Sequence, residues 1–208
     1  IMDIKDFARL VKAKRAELDT LMRRNMPVIA GRMAKDHFQD NFRKGSFVNG
    51  GLHPWKPAKR LSSGIPGAVA NYGTLLSGRN HLFSSIKYMP GDYQVRVANE
   101  VRYAPLHNWG GVANPTVTDR MRRFAWAMFY KSSGKTKKAD TGQKKRQKHG
   151  AAAQPENEQA QFWKRLALTR KTKLKVKIPQ RQFLGESIEL SDSITTRTEN
   201  EIRKILNS

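Results

Sequence analysis

The chain has 208 residues, and its 40 lysines and arginines against 17 acidic residues give a net charge of +23. This length fits one ordinary domain with an extension, or two small domains. The charge favours contact with polyanions such as nucleic acid, an acidic protein surface or anionic lipid. Because there is no cysteine, disulfides and thiolate metal sites are excluded.

No segment has the pattern of a leader or a membrane span. Residues 1–6 lack the basic and then apolar order of a secretory signal. The longest apolar runs, such as Phe124–Tyr130, are far too short to cross a bilayer. We therefore expect a soluble protein that is not exported and has no membrane partner.

Residues 3 to about 44 are predicted to be helical, in two pieces. Apolar residues at helical spacing mark one stripe of the first piece: Ile4, Phe7, Val11, Leu18, Leu21 and Met22. Pro27 interrupts the pattern, and proline suits the first turn of a new helix. A kink or restart is therefore expected near Asn25, followed by a second piece that carries Phe38 and Phe42.

The central feature is a β-hairpin with its turn at Pro90-Gly91-Asp92. Ile86 and Tyr88 before the turn, and Tyr93, Val95 and Val97 after it, alternate with polar or small residues. An isolated hairpin is marginal in water, so helices are expected to cover its apolar face. The prediction is a single α+β domain over 1–208. Its antiparallel sheet is built on this hairpin and flanked by a long N-terminal helix and a C-terminal helix.

Residues 45–73 form a glycine- and proline-rich stretch without either period, which we call the arm. Irregular runs of this length are typical of functional arms or mobile loops. Trp55 is its one candidate anchor. Two placements remain open: Trp55 docks on a neighbouring subunit or a virion protein, or it folds back over its own hairpin.

Four more elements are predicted beyond the hairpin. Met121, Phe124, Ala125 and Met128 indicate a helix over 119–130 with Thr118 as its N-cap. Residues 156–170 are also predicted to be helical, and 173–178 alternates as a strand that Pro179 closes. A last helix begins at about Ser191, with Arg181 and Phe183 at the junction between strand and helix.

The segment 131–155 is predicted to be a basic, mobile insertion, because it offers almost nothing to bury. Two interpretations remain open, a solvated loop and a polyanion contact. Its candidate contact residues are Lys135, Lys137, Lys138, Lys144, Lys145, Arg146 and Lys148.

No catalytic or cofactor site is predicted. The five histidines are scattered, and none has the spacing of metal ligands such as H-E-x-x-H. Ser77-Gly78 lacks the G-x-S-x-G frame of a nucleophile elbow. We therefore expect a protein that is not an enzyme and has no cofactor.

Four segments in order together resemble the phage virion morphogenesis family, the Mu-like tail-completion or head–tail joining proteins. They are Trp55-Lys-Pro57; Leu76-Ser-Gly78 with Leu82 and Ser85-Ile86; Tyr103-Ala104 with His107-Asn-Trp-Gly110; and Ile178-Pro179-Gln-Arg181-Gln-Phe183-Leu184-Gly185. The insertion over 131–170 departs from the family pattern.

The resemblance implies a structural protein of a phage or prophage, without catalytic residues, assembled into virions in the bacterial host cytoplasm. Its relatives are small α+β subunits that multimerise at the neck or end of a tail. The expected partners are further copies, for example in a ring, and other tail or head proteins, and the charge would suit a surface near packaged DNA. The alternative is a basic nucleic-acid-binding module unrelated to virions.

Overall fold

A computed structural model describes residues 3–62, 72–133 and 157–208 of the chain. In these residues the α-helices are α1 (Ile4–Thr20), α2 (Met26–Lys44), α3 (His81–Ser84), α4 (Ala104–Trp109), α5 (Asp119–Ser132), α6 (Glu158–Ala167) and α7 (Ile188–Asn207). The strands are β1 (Ser46–Val48), β2 (Leu52–Pro54), β3 (Ile86–Gly91), β4 (Gln94–Asn99), β5 (Gly111–Ala113) and β6 (Val176–Ile178).

The predicted α+β class is confirmed, with a long N-terminal helix and a C-terminal helix. The described strands form three separate pairs, β1 with β2, β3 with β4 and β5 with β6. The chain divides into two compact units. Unit 1 is Ile1–Gly111 with Lys177–Ser208, and unit 2 is Val112–Val176.

The long N-terminal helix changes its winding where the restart was predicted. A π-helical turn, Leu21–Asn25, separates α1 from α2, and Pro27 lies in the first turn of α2. Proline has no N–H, so it cannot donate to the carbonyl of Arg23 four residues earlier. The backbone N–H of Tyr93 donates to that carbonyl instead, at 3.1 Å. The irregular turn is therefore stabilised by the hairpin.

The hairpin has its predicted strands, but its turn lies slightly further along the chain. Pro90 and Gly91 end β3, and Asp92 and Tyr93 form the turn. Tyr93 adopts a φ of 58°, which is uncommon for a residue other than glycine. The turn is held because Arg23 donates to Asp92 through Nε at 2.9 Å and through its terminal nitrogen at 2.6 Å.

Helix α2 covers the apolar face of the hairpin, and this contact forms the centre of unit 1. Gly31 lies where the two elements cross, since a Cβ there would come within 2.5 Å of the Tyr88 ring. Ile86 and Phe183 are completely buried. The buried hydrophobic core is Ala34, Phe38, Phe42, Phe47, Trp55, Leu82, Ile86, Ala104 and Phe183.

The described part of the arm is more regular than the sequence predicted, and its residues 63–71 lie outside the described residues. Its first part is an antiparallel hairpin in which Phe47 pairs with His53, and a short 3₁₀ turn follows at Lys59–Ser62. Trp55 comes directly after this hairpin and is 7% exposed, within the core of its own unit. Trp55 therefore folds back into its own unit, as the second placement has it, but its ring packs against Phe42 of α2.

Unit 2 contains the predicted helix pair, with ends close to those expected. Helix α5 begins after Thr118, whose hydroxyl accepts from the backbone N–H of Met121 at 3.2 Å. Helix α6 follows Asn157, whose side chain accepts from the N–H of Gln159 at 3.1 Å. The predicted mobile insertion, 131–155, lies outside the described residues from position 134 onward.

The C-terminal helix begins at Ile188, three residues before the predicted start, and its N-cap is Ser187. Its other end meets α1, because Lys14 Nζ donates to the carbonyl of Ile205 at 2.7 Å. Among the described helices, none has the length and apolar content needed to cross a membrane.

Candidate interaction surfaces

The segment before α7, residues 179–187, connects distant parts of unit 1. The indole Nε1 of Trp55 donates to the carbonyl of Gln182 at 2.7 Å. In return, the Arg181 guanidinium donates through Nε to the carbonyl of Lys56 at 2.8 Å. The backbone N–H of Arg181 donates to the carbonyl of His107 at 2.8 Å. Arg181 therefore ties the arm and α4 to the C-terminal segment.

Asn108 makes the most complete set of hydrogen bonds in this region. Its Oδ1 accepts from the backbone N–H groups of Phe183 and Leu184, both at 2.9 Å, and its Nδ2 donates to the carbonyl of Leu184 at 3.0 Å. The side chain is 5% exposed. The Asn108 side chain thus pairs backbone groups of Phe183 and Leu184, as a neighbouring strand would do in a sheet. Without it, these polar groups of an irregular segment would be unpaired.

Gly110 allows the close approach that these bonds need. Its φ is 73°, and a Cβ there would lie 2.9 Å from the backbone nitrogen of Gln180. Any other residue at this position would combine strain in the left-handed region with a backbone clash. The His107–Gly110 segment therefore packs directly against the chain at 178–180.

His107 titrates in an environment that disfavours its protonated form. Burial of the imidazole is the larger cause of its lowered pKa, and the positive charge of Arg181 lowers the pKa further. Burial also lowers the pKa of Arg181, whose charge is further opposed by Arg60. The Nδ1 atom of His107 is buried and has no hydrogen-bond partner in the described protein. His107 is consequently a neutral packing residue in the native state.

We expect unit 1 to lose stability as the pH falls below about 6.5, the ordinary pKa of histidine. Because the pKa of His107 is lowered only in the folded state, the unfolded chain binds more protons in this range. The unfolding free energy should therefore decrease toward pH 5. Urea midpoints measured at pH 7.5 and 5.5 should differ less in His107→Gln than in the parent. An equal difference in both proteins would exclude His107 as a source.

The prediction that Trp55 contacts a partner is corrected, because Trp55 is buried in the core of its own unit. Its ring packs edge-on against Phe42 at 5.5 Å, and its only polar atom is paired with Gln182. The other candidate contacts, Lys135, Lys137, Lys138, Lys144, Lys145, Arg146 and Lys148, lie outside the described residues. In the described part of the chain, no three histidine or acidic side chains cluster as metal ligands.

An apolar stripe along α1 and into the π-helical turn is exposed except at Leu18, which is half-buried, although periodicity alone would assign the stripe to a core. At about 100° per residue, Ile4, Phe7, Val11, Leu18 and Met22 fall within about 60° of arc, and we call this set the α1 stripe. Ile4, Phe7 and Val11 are 84%, 58% and 51% exposed. Every residue from 3 to 13 is exposed, so the first three turns of α1 lack a covering element among the described residues.

The positive charge is concentrated in unit 2. Residues 112–176 hold 17 basic and four acidic side chains, so about a third of the chain carries more than half of the net charge. Its described residues alone hold ten basic and two acidic side chains. Residues 3–20, by contrast, hold five basic and four acidic side chains and are nearly neutral.

Comparisons of this chain with models of protein families, with curated proteins and with solved structures find no match. The function of this chain is therefore inferred from its own residues and their arrangement.

Proposed function

We propose that this chain is a structural subunit of a phage or prophage virion that acts in tail completion or head–tail joining by associating with further copies and with neighbouring tail or head proteins. The observation that carries the proposal is the meeting of all four resembling segments in unit 1. Trp55, Leu82, Ile86, Ala104 and Phe183, which come from these segments, lie in one core. Four short segments that pack together in one core support the family resemblance better than four segments that lie apart in the structure.

The α1 stripe supports self-association. Single helices of this length are marginal in water, and most helices in proteins gain their stability by burying an apolar face. The first half of α1 presents such a face to solvent. The α1 helix of a second copy would cover this apolar face. In an assembled virion, neighbouring copies would be close enough for the two helices to pair.

Charge favours a second copy as the occupant of the stripe. The whole chain carries +23 and would repel another copy over most of its surface, whereas α1 is nearly neutral. Asp3 and Asp6 lie near one end of the helix, and Lys12 and Arg15 lie further along it. Lys5 and Arg9 lie among the acidic residues at that end, so two copies of α1 would meet as nearly neutral helices that carry charges of both signs.

We expect the parent to associate as its concentration rises, and the variant Phe7→Ser with Val11→Ser to remain monomeric. Serine has nearly the same helix propensity as phenylalanine and valine, so the substitutions remove apolar area with little change in helicity. Sedimentation velocity across a hundredfold range of protein concentration measures the difference.

The control is Arg9→Ser with Ala13→Ser, two exposed positions on the opposite side of the same helix. Because serine is a poorer helix former than arginine or alanine, this control weakens α1 more than the stripe variant does. It should nevertheless associate like the parent. A parent that stays monomeric at every concentration contradicts the proposal and leaves the alternative, a nucleic-acid-binding module that needs no self-association.

A further inference from the structure

The exposed side of α5 in unit 2 carries positive charge at both of its ends. Arg120, Arg123, Phe124, Ala127 and Lys131 are all exposed, and helical spacing places them on one side. The opposite side holds Ala125 and Phe129, which are buried. Among the described residues, the contact of the Phe124 ring with Trp163 of α6 covers part of this side, and the charged side chains on it remain exposed.

These cations have almost no acidic counterpart. The one ion pair between described residues of unit 2 joins Arg122 to Asp119 at 3.9 Å. Arg120 and Arg123 lie in the first turns of α5, where the helix dipole disfavours positive charge. An anionic partner would remove this unfavourable interaction.

A second row of cations runs beside the start of α5. Lys173 pairs with Thr116 in an antiparallel bridge, and the N–H of Val117 donates to the carbonyl of Thr172 at 2.8 Å. The bridge lies two residues before Thr118, the N-cap of α5. Lys171, Lys173 and Lys175 are all exposed. The bridge therefore holds this lysine-rich segment near the start of α5, where Arg120 and Arg123 lie.

We propose that this surface, formed by Arg120, Arg123, Lys131, Lys171, Lys173 and Lys175, binds the phosphate backbone of duplex DNA with α5 across the major groove. Arg120 and Lys131 are about 16 Å apart along the helix, at 1.5 Å per residue. The major groove of B-DNA is about 12 Å wide and admits an α-helix. Cations at the two ends of α5 can thus reach phosphates on both sides of the groove, while Ala127 between them permits close approach.

Charge and groove width argue for duplex DNA. Unit 2 carries more than half of the net charge of the chain, and the phosphate backbone of a duplex is a continuous row of anions along both sides of the major groove. Duplex RNA fits poorly, because its major groove is too narrow for side chains to enter. The proposal assigns the arginines and lysines to phosphates, and because phosphate contacts carry no sequence information, the binding is expected to be independent of base sequence.

The inference goes beyond the proposed function and is tested separately, by DNA affinity and not by self-association. The full chain is titrated onto a labelled duplex of about 20 base pairs, and anisotropy is followed from 50 to 200 mM salt. We expect Arg120→Gln with Arg123→Gln to weaken binding roughly tenfold and to reduce the salt slope by about 2, since each lost phosphate contact removes about 0.9. Lys171→Gln with Lys173→Gln and Lys175→Gln should reduce the slope by about 3.

The matched control is Lys87→Gln with Arg96→Gln, which removes two exposed charges from the hairpin of unit 1. It should leave the slope nearly unchanged. Equal losses in control and surface variants would overturn the proposal in favour of general charge attraction, and unchanged binding in the surface variants would place the contact elsewhere. Duplex RNA that binds as well as DNA would contradict the position of α5 in the groove. Polyglutamate that competes as well as DNA at equal charge would indicate an acidic protein partner instead.

Discussion

Phe183→Ala should lower the free energy of unfolding by about 3–5 kcal/mol, the usual cost of removing a buried aromatic ring. Phe183 is completely buried, and its ring centroid lies 5.1 Å from that of Phe42. It comes from a segment without regular secondary structure, so its ring is the main apolar attachment of that segment to α2. Protein cores are close-packed and relax only partially around a deletion, so the cavity would collapse only in part.

Urea unfolding of unit 1 measures this loss as a lower midpoint at an unchanged m-value. Phe7→Ala is the matched control, because Phe7 is 58% exposed in the same unit. At a protein concentration where the parent is monomeric, the control should change stability by less than about 0.5 kcal/mol. A loss of less than about 1 kcal/mol in the free energy of unfolding of Phe183→Ala would show that the ring contributes little to core packing.

The elements that were predicted correctly are those that local chemistry determines. Thr118 caps α5, since its hydroxyl lies at the position that accepts from an N–H three residues on. Pro27 disturbs the helix because it lacks an N–H, whatever packs around it. The alternation around Ile86 and Val97 produces a two-faced hairpin. Each of these signals acts over fewer than about six residues, and so can be recognised in the sequence.

The features that were missed depend on contacts between distant residues. Periodicity identified the α1 stripe, but it does not state whether another element covers an apolar face. Trp55 lacked a periodic partner nearby because its partners, Phe42 and the carbonyl of Gln182, belong to other segments. Asn108 was noted only within a resembling segment. Asparagine is usually exposed, so its burial against Phe183 and Leu184 has no local signal.

The charge distribution was only partly accessible from the sequence. The composition shift after Lys131 drew attention to the insertion, whose contact residues lie outside the described part of the chain. Helix α5 and a strand over 173–178 were predicted without any relation to each other, and the structure forms only Val176–Ile178 of that strand. The bridge between Thr116 and Lys173 brings them together, and a bridge over more than 50 residues cannot be deduced from periodicity.

The last prediction concerns Asn108, whose replacement by alanine should cost about 3–5 kcal/mol. The substitution leaves the N–H groups of Phe183 and Leu184 and the carbonyl of Leu184 without their partner. Each buried polar group left unpaired costs about 1–3 kcal/mol, and water entering the site would recover part of the sum. Asn25→Ala is the control, since Asn25 is exposed in the same unit and alanine favours a helix.

Asn108→Asp separates this hydrogen bonding from simple packing, because it preserves the shape of the side chain. The ionised carboxylate can accept from Phe183 and Leu184 but cannot donate to the carbonyl of Leu184, and it is buried at this position. Burial and this contact should raise the pKa of the introduced carboxyl in the folded state. The loss of stability should therefore be largest at pH 7 and diminish as the pH falls through the raised pKa, where the protonated carboxyl can donate. Urea midpoints of Asn108→Asp and of the parent, measured at pH 7 and pH 4.5, test this. The parent is measured at both pH values because its own stability is expected to change with the protonation of His107. If the difference between the two proteins does not shrink at pH 4.5, the hydrogen bond from Asn108 to Leu184 is not what holds the C-terminal segment in place.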